Sequence, residues 1–152
     1  MPTGSKPRKH NSSPRLFAPR PFNTRKGQYG RIIIAGGSEK YAGCLTFNAL
    51  ASLRSGADLA IIIAPRRAAD IVASHSPDLI TVPCWTPYPD PRIVKQVSGN
   101  VDALIIGCGV ERTSEAHHAL LEIIRHFKGP VVIDAEALHA LAESPKTVSG
   151  RR

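Results

Sequence analysis

Five short apolar segments, each rich in β-branched residues and each followed by a helical pattern, divide this chain into strand–helix units. The strands are predicted over residues 31–35, 58–64, 79–83, 101–106 and 131–134. Apolar runs of this length, bounded by Gly or Pro, are typical of strands that are buried on both faces of a parallel sheet. The repeated alternation predicts an α/β domain of three layers, in which helices cover both faces of a mostly parallel sheet.

The helix after the fourth strand has the clearest period. Its apolar residues fall at i, i+3, i+4, i+7, i+8 and i+11, namely Ala116, Ala119, Leu120, Ile123, Ile124 and Phe127. This spacing places them on one helix face, and Thr113 or Ser114 is predicted to cap its start. The remaining helices are predicted over residues 43–55, 66–74, 93–97 and 135–143.

The size and hydrophobicity of the chain favour one globular domain. Its 152 residues, 42% of them hydrophobic, are enough for a single buried core. The longest apolar runs have the length of strands, far below the roughly 20 apolar residues of a transmembrane helix. We therefore expect a protein that does not span a membrane.

Basic charge is concentrated near the amino terminus. Eight of the 20 Lys and Arg residues lie within residues 1–31, which contain no acid, so the other twelve are balanced by the 12 acidic residues. Five prolines in the same segment indicate that it buries too little apolar surface to fold. We expect a disordered basic, proline-rich tail over residues 1–22, a domain over residues 23–144 and a polar tail over residues 145–152.

The basic tail allows several interpretations. A solvated extension is the main one, and polyanion binding or a transit peptide are the alternatives. Contact with nucleic acid ranks last, because Phe17 and Phe22 are the only aromatic residues interleaved with the basic ones.

The cysteines and histidines do not form a recognisable metal or disulfide pattern. Cys44, Cys84 and Cys108 are odd in number and widely spaced, which predicts a reducing, cytoplasmic setting. Cys108 is a candidate nucleophile, but no base can be assigned to it and a small buried thiol is the simpler interpretation. His117 and His118 are adjacent and so point in different directions from a helix, and no metal site is expected.

Glycine-rich turns follow the first and fourth predicted strands, at the edge where parallel α/β sheets bind ligands. Gly36, Gly37 and Ser38 lead into a helix, where N–H groups and the helix dipole favour an anion such as phosphate. A tight turn without a ligand is equally consistent, since neither standard nucleotide fingerprint is present. Residues 107–109 (GCG) allow close approach of a ligand or of the next helix. Asp134 is a candidate polar contact to a ribose or a metal-bound water, or else a helix cap.

Five segments resemble, in the correct order, motifs of the ADP- or ATP-dependent NAD(P)H-hydrate dehydratases, the carboxy-terminal domain type of the YjeF proteins. The segments are RKGQYGRIIIAGGS (25–38), YAGC (41–44), LRSGADL (53–59), SPDLI (76–80) and VVIDAEAL (131–138). They match the family patterns H-K-G-x-x-G-R-[VI]-x-[VI]-x-G-G-S, Y-[TS]-G-A, L-[RK]-x-G-A-D-L, S-P-[ED]-L and V-x-D-A-[DE]-[AG]-L. The resemblance covers residues 25–143, close to half of a family domain, and implies a ribokinase-like fold.

The resemblance implies metabolite repair. The family phosphorylates the hydroxyl group of hydrated NADH or NADPH with ADP or ATP, then eliminates phosphate to restore the nicotinamide. The implied cofactors are thus ADP or ATP, with Mg²⁺ as a candidate ion, and NAD(P)H hydrate is the implied substrate. Carried onto matching positions, the substrate contacts fall at Gly43, Cys44 and Gly109, and Asp134 matches a family Asp at a strand end.

The chain departs from the family pattern at three positions and lacks two motifs. Cys44 replaces the usual Ala, Arg25 replaces the usual His, and Glu111 replaces a common Gly and brings negative charge towards a phosphate site. The family's T-P-H-x-x-E and G-[ST]-G-D motifs, the second of which contains the catalytic Asp, have no counterpart here. Phosphoryl transfer needs groups of this kind, so we expect a truncated domain without catalytic residues of its own.

Three functions are therefore considered. The first is part of a dehydratase that works only with a second chain supplying the remaining half. The second is a non-catalytic nucleotide-binding protein. The third is an inactive remnant, which associates with other copies through an exposed strand edge and an apolar face.

Overall fold

The structure is a computed structural model of the chain, and it describes residues 19–150. Five strands form one sheet in the order β3-β2-β1-β4-β5. The strands are β1 (Arg31–Ala35), β2 (Leu59–Pro65), β3 (Ile80–Cys84), β4 (Ala103–Ile106) and β5 (Val131–Ile133). Each neighbouring pair is parallel, which confirms the predicted sheet. The strand order reverses at β1, between β2 and β4, and this is the point at which such sheets bind ligands.

Four helices connect the strands and a fifth follows β5, as the sequence predicts. They are α1 (Gly43–Arg54), α2 (Arg66–Ala73), α3 (Pro91–Val97), α4 (Ser114–His126) and α5 (Glu136–Glu143). Two 3-10 turns, Ser98–Asn100 and Pro145–Val148, complete the regular structure of the described residues.

Each face of the sheet has its own hydrophobic core. Successive strand residues point to opposite faces, so Ile34 contributes to the core under α1 and α2 while Ile33 contributes to the core under α3 and α4. Leu45 is fully buried on the first side and Leu120 on the second. This arrangement confirms the predicted three-layer α/β domain.

Two helix starts differ from the sequence prediction in an informative way. α3 begins two residues earlier than predicted, because the Asp90 carboxylate accepts the N–H of Arg92 at 2.8 Å and Pro91 occupies the first helical position. α5 begins at Glu136, and the alternative in which the Asp134 side chain caps it is wrong: the N-cap residue is Ala135, without a side-chain cap.

The described part of the predicted basic tail contacts the domain. Arg20 donates to Asp58 at 2.9 Å and its guanidinium lies 4.6 Å from the ring centroid of Tyr29. Asp58 also accepts the N–H groups of Tyr29 and Gly27, and these bonds together with Arg20 lower its pKa. Residues 1–18, to which most of the predicted disorder applies, lie outside the described residues, and the boundary at residue 22 stays a prediction.

Part of the segment predicted as a polar carboxyl-terminal tail is structured. Pro145–Val148 form a 3-10 turn, and Val148 packs against the core under α4. The final two residues lie outside the described residues. Within the range that the structure covers, no helix combines the length and the apolar character needed to cross a bilayer.

Candidate functional site

The turns after β1 and β4 meet at the carboxyl edge of the sheet. The N–H of Gly37 donates to the carbonyl oxygen of Cys108 at 2.8 Å, and the N–H of Gly107 donates to Ala35 at 3.1 Å. β1 and β4 are neighbours in the sheet, so residues about 70 positions apart in the sequence form one surface. The structure therefore brings the two predicted glycine-rich turns together.

Close packing explains two of the glycines in these turns. A Cβ atom on Gly36 would lie 2.4 Å from the carbonyl oxygen of Cys108. A Cβ atom on Gly107, whose φ is +111°, would lie 2.2 Å from the carbonyl oxygen of Asp134. Both distances are below any contact that a real Cβ makes, so the packing alternative is sufficient for these positions.

The backbone N–H groups of Gly36, Gly37 and Ser38 are all hydrogen-bonded within the protein. They donate to the carbonyl oxygens of Ile63, Cys108 and Tyr41, respectively. The buried Ser38 hydroxyl accepts N–H groups of the residues that follow it. Among these is the N–H of Tyr41, whose nitrogen lies 3.2 Å from Ser38 Oγ. A phosphate bound at this turn would have to displace these bonds, which favours the alternative of a tight turn without a ligand. The assignment of these three residues to a phosphate site stays a prediction.

The start of α1 offers a different kind of surface. The helix has no side-chain cap and no acidic residue in its first turn, and a Cβ atom on Gly43 would meet nothing within 4 Å. A Cβ atom on Gly109 would lie 2.7 Å from the Sγ atom of Cys44. The three positions matched to substrate contacts, Gly43, Cys44 and Gly109, therefore lie together, at a helix end whose dipole attracts anions.

Two thiols meet at this point. The hydrogen bond from Cys108 lowers the pKa of Cys44 to about 7, against burial, which raises it, and the N–H groups of Leu45 and Cys44 lower it further. The same contact and burial raise the pKa of Cys108. The Nδ2 atom of Asn48 donates to Cys108 at 3.2 Å. Asn48 has no sequence signal as a site residue, because its partner, Cys108, follows a strand that is distant in the sequence.

Asp134 lies on the margin of this cluster. Its side chain is exposed, and its backbone N–H donates to Ile106 at 3.0 Å. Its carboxylate raises the pKa values of Cys44 and Cys108 through its charge, which places it within electrostatic range of both thiols. Its predicted role as a polar ligand contact is untested by these observations.

The sequence of the described domain matches a known family. The family model for NAD(P)H-hydrate dehydratases matches residues 32–152. The chain belongs to this family. A bifunctional NAD(P)H-hydrate repair enzyme, Nnr, from Pyrobaculum aerophilum is 40% identical over 126 residues, which are 78% of this chain and 25% of the relative.

Two solved structures share the fold. A ribokinase-like superfamily protein from Enterococcus faecalis superposes with a TM-score of 0.72 and 20% identity, covering 84% of this chain and 44% of that protein. An ADP/ATP-dependent NAD(P)H-hydrate dehydratase from Bacillus subtilis, co-crystallised with ATP and Mg²⁺, superposes with a TM-score of 0.63 and 22% identity, covering 80% and 43%. The fold is therefore ribokinase-like, and the chain spans less than half the length of each of these proteins.

A second departure from the family pattern has a partner in the structure. Glu111, at a position where the dehydratases commonly have Gly, lies 3.2 Å from the Nζ atom of Lys40. Lys40 follows the β1 turn, so this ion pair connects the two glycine-rich turns at the edge of the sheet. Glu111 stands out in the sequence as a departure from the family pattern, whereas Lys40, a cation two residues after Ser38, becomes recognisable as its partner only when β1 and β4 lie side by side.

The described residues do not fit a divalent cation or an adenine nucleotide at the predicted turn. No group of three or more His, Cys, Asp or Glu side chains able to hold a metal is found between residues 19 and 150. The N–H groups of the Gly36–Ser38 turn are engaged within the protein. We therefore derive no chemical step through Mg²⁺ or through ADP or ATP for this chain.

Proposed function

We propose that this chain binds hydrated NAD(P)H at the start of α1, as the substrate-binding part of a nucleotide-dependent NAD(P)H-hydrate dehydratase. The observation that carries the proposal is the open first turn of α1, which faces the Gly109 turn in a member of the dehydratase family. Gly43 leaves this helix end accessible, and a dinucleotide supplies the phosphate charge that a helix start attracts.

The full dehydratase reaction requires more polypeptide than the described domain. The site contains no assigned base for the substrate hydroxyl and no set of groups to position phosphates, and phosphoryl transfer depends on both. We propose that ADP or ATP, with Mg²⁺, acts at a surface completed by the remainder of the family fold.

The free edge of β5 is where that remainder would join. β5 pairs with β4 along one side, and within the described residues no strand pairs with its other side. Val132 on this strand is 58% exposed and Leu138 on α5 is 51% exposed. An unpaired strand beside exposed apolar side chains is a template for pairing with another chain. A second copy of this chain is the alternative occupant of the edge.

A non-catalytic nucleotide-binding protein is the second candidate function. It is favoured by the same accessible helix start together with the absence of an assigned base among the described residues. In both candidates the ligand is a small-molecule nucleotide. A cytoplasmic location and a lack of nucleic-acid binding remain predictions.

Binding can be tested separately from catalysis. Titration calorimetry of the chain with NADH hydrate should detect binding, and Gly109→Ala should weaken it at least tenfold, since the new Cβ would displace Cys44 and the φ of +71° disfavours Ala. Gly99→Ala is the matched control, because a Cβ there meets nothing within 4 Å. Equal binding by both variants would overturn the proposed position of the site.

The reaction itself is followed by the return of the reduced-nicotinamide absorbance after addition of ADP or ATP with Mg²⁺. We expect no recovery from the chain alone. Recovery above a protein-free control would show that the described domain needs no further polypeptide. Binding without recovery in the presence of the remaining family sequence would favour the non-catalytic candidate.

A further inference from the structure

Cys44 and Cys108 form a pair of thiols whose redox chemistry the proposed function does not use. They lie 64 positions apart in the sequence, but the fold brings them together at the start of α1. A Cβ atom on Gly109, the residue after Cys108, would lie 2.7 Å from the Cys44 Sγ atom, and the Cys108 Sγ atom accepts the Nδ2 donor of Asn48, one helical turn after Cys44, at 3.2 Å. Cys44 is in the first turn of α1, whereas Cys108 is in the turn after β4. The family pattern has Ala at the first of these positions, so the pair is a feature of this chain.

The two thiols have unequal environments. Cys44 is half-buried in the first turn of α1, at the helix end that stabilises a negative charge. Cys108 is only 4% exposed and receives the Nδ2 donor of Asn48 at 3.2 Å. Because the thiolate is the reactive form of cysteine, this asymmetry makes Cys44 the nucleophile of the pair.

The third cysteine provides an internal comparison. Cys84 is 1% exposed under α3, and burial raises the pKa of its thiol. The N–H of Asp90 donates to it at 3.4 Å, and only burial and Asp90, not another thiol, shift its pKa. It is therefore expected to be inert under conditions in which an accessible thiolate reacts.

We propose that Cys44 and Cys108 are an oxidation site that takes a hydroperoxide as its substrate and forms a reversible disulfide, with Cys44 as the attacking thiol and Cys108 as the resolving thiol. The proposal concerns the thiol pair alone and does not depend on which ligand, if any, binds at the start of α1.

The chemistry is balanced in two steps. In the first, the Cys44 thiolate attacks one oxygen of the hydroperoxide, an S–O bond forms and the O–O bond breaks, which gives a sulfenic acid and an alkoxide, or hydroxide in the case of hydrogen peroxide. This leaving group takes up the proton that the Cys44 thiol lost on ionising, so the second product is an alcohol or water. In the second, the Cys108 sulfur attacks the Cys44 sulfur, the S–S bond forms, and the hydroxyl group leaves as water with the Cys108 proton. The two thiols lose two electrons in total and the hydroperoxide gains them.

The disulfide would change the start of α1. The thiolate of Cys44 at the helix start would be consumed, and the helix start would be covalently joined to the β4 turn. A dithiol restores the pair by thiol–disulfide exchange, which makes the modification reversible.

The test uses the full chain and hydrogen peroxide as the probe. After a short exposure to stoichiometric peroxide, free thiols are alkylated in acid and the protein is digested with trypsin without reduction. Cys44, Cys84 and Cys108 then fall on separate peptides, residues 41–54, 68–92 and 96–112. We expect a linked pair of the first and third peptides that dithiothreitol separates, with residues 68–92 unmodified. Oxidation of Cys84 at the rate of Cys44, or survival of both Cys44 and Cys108 as thiols, would overturn the proposal.

Variants assign the order of the two steps. In Cys108→Ala the sulfenic acid on Cys44 should persist and be trapped by dimedone, whereas in Cys44→Ala residue 108 should remain a thiol. Cys84→Ala is the matched control and should form the linked peptides as the parent chain does. Dimedone trapped on Cys108 in Cys44→Ala would reverse the assigned roles and so contradict the proposal.

A measurement on the unmutated chain covers the case in which a variant fails to fold. Iodoacetamide should alkylate Cys44 at least about tenfold faster than Cys84 near neutral pH, because only the former is accessible and has a lowered pKa. Equal rates for these two thiols in the folded chain would overturn the assignment of Cys44 as the attacking thiol.

Discussion

The Nε2 atom of His117 lies 2.6 Å from Glu136 Oε1, and this contact joins α4 to α5. The other ring nitrogen lies 3.0 Å from Glu143, and Arg112 donates to Glu136 at 2.8 Å. The imidazole side chain is almost completely buried. Its hydrogen bond to Glu136, followed by the bond to Glu143, raises the pKa of His117.

This contact predicts that stability falls as pH rises above the ordinary His pKa of about 6.5. A raised folded-state pKa contributes stability that is fully present below the unfolded pKa of His and is lost as pH rises through the folded pKa. His117→Gln should remove this pH dependence and cost about 1 to 2 kcal/mol at pH 6. Urea unfolding at several pH values measures it, with the exposed neighbour His118→Gln as control. The same slope in both variants would contradict the prediction.

Ala135 has a φ of +46°, the only positive φ of a non-glycine residue in the described range. It connects β5 to α5, where a ψ of −119° accompanies this φ. Side chains disfavour this conformation at a cost on the order of 1–3 kcal/mol. Ala135→Gly is therefore expected to stabilise the domain by about 1 kcal/mol, measured as an increase in Tm. Ala51→Gly, at an exposed position within α1, should instead lower Tm by a similar free energy. A lower Tm for Ala135→Gly would show that this conformation is not strained.

The fold was largely predictable because its signals are local. The runs that form β1 and β4 are continuous and apolar, and parallel strands that are covered on both faces have this pattern. The start of α3 was missed because its cap, Asp90, lies in a proline-rich loop that has no apolar period. Strand ends were uncertain by one or two residues because the hydrogen bonds that define them come from neighbouring strands.

The candidate site was only partly predictable, since it is made of distant contacts. The glycine patterns located the turns correctly at the carboxyl edge of the sheet. However, the bond from Gly37 to Cys108 and the pairing of Cys44 with Cys108 depend on β4 lying beside β1. That strand order is a property of the whole sheet. The positions of the glycines in the sequence therefore could not show that the N–H groups of the Gly36–Ser38 turn are hydrogen-bonded within the protein.

The close packing of Gly36 predicts that two glycine substitutions differ greatly in their effect on the free energy of unfolding. Gly36→Ala places a Cβ atom 2.4 Å from the carbonyl oxygen of Cys108, which is backbone and cannot rotate away. We expect a loss of about 2–3 kcal/mol or more in the free energy of unfolding, as for other overpacked buried positions. Gly99→Ala, where the Cβ meets open space, should change stability by less than about 0.5 kcal/mol. Thermal or urea unfolding compares the two, and a similar loss in both would show that the turns are not closely packed.

The ion pair between Glu111 and Lys40 predicts how charge at the sheet edge affects ligand binding. The pair is partly exposed, so its own contribution to stability is small, at most about 1 kcal/mol. Glu111→Gln removes a negative charge from the edge and leaves Lys40 available to a phosphate group. If hydrated NAD(P)H binds beside these turns, this variant should bind it roughly two- to fivefold more tightly, with a larger gain at low salt. Glu115 is an exposed acid in the first turn of α4, four residues later in the sequence. Glu115→Gln removes the same charge at that position and is the control. Weaker binding by Glu111→Gln than by Glu115→Gln would instead mean that Glu111 positions Lys40 for the ligand, because the loss of repulsion alone can only strengthen binding of an anion.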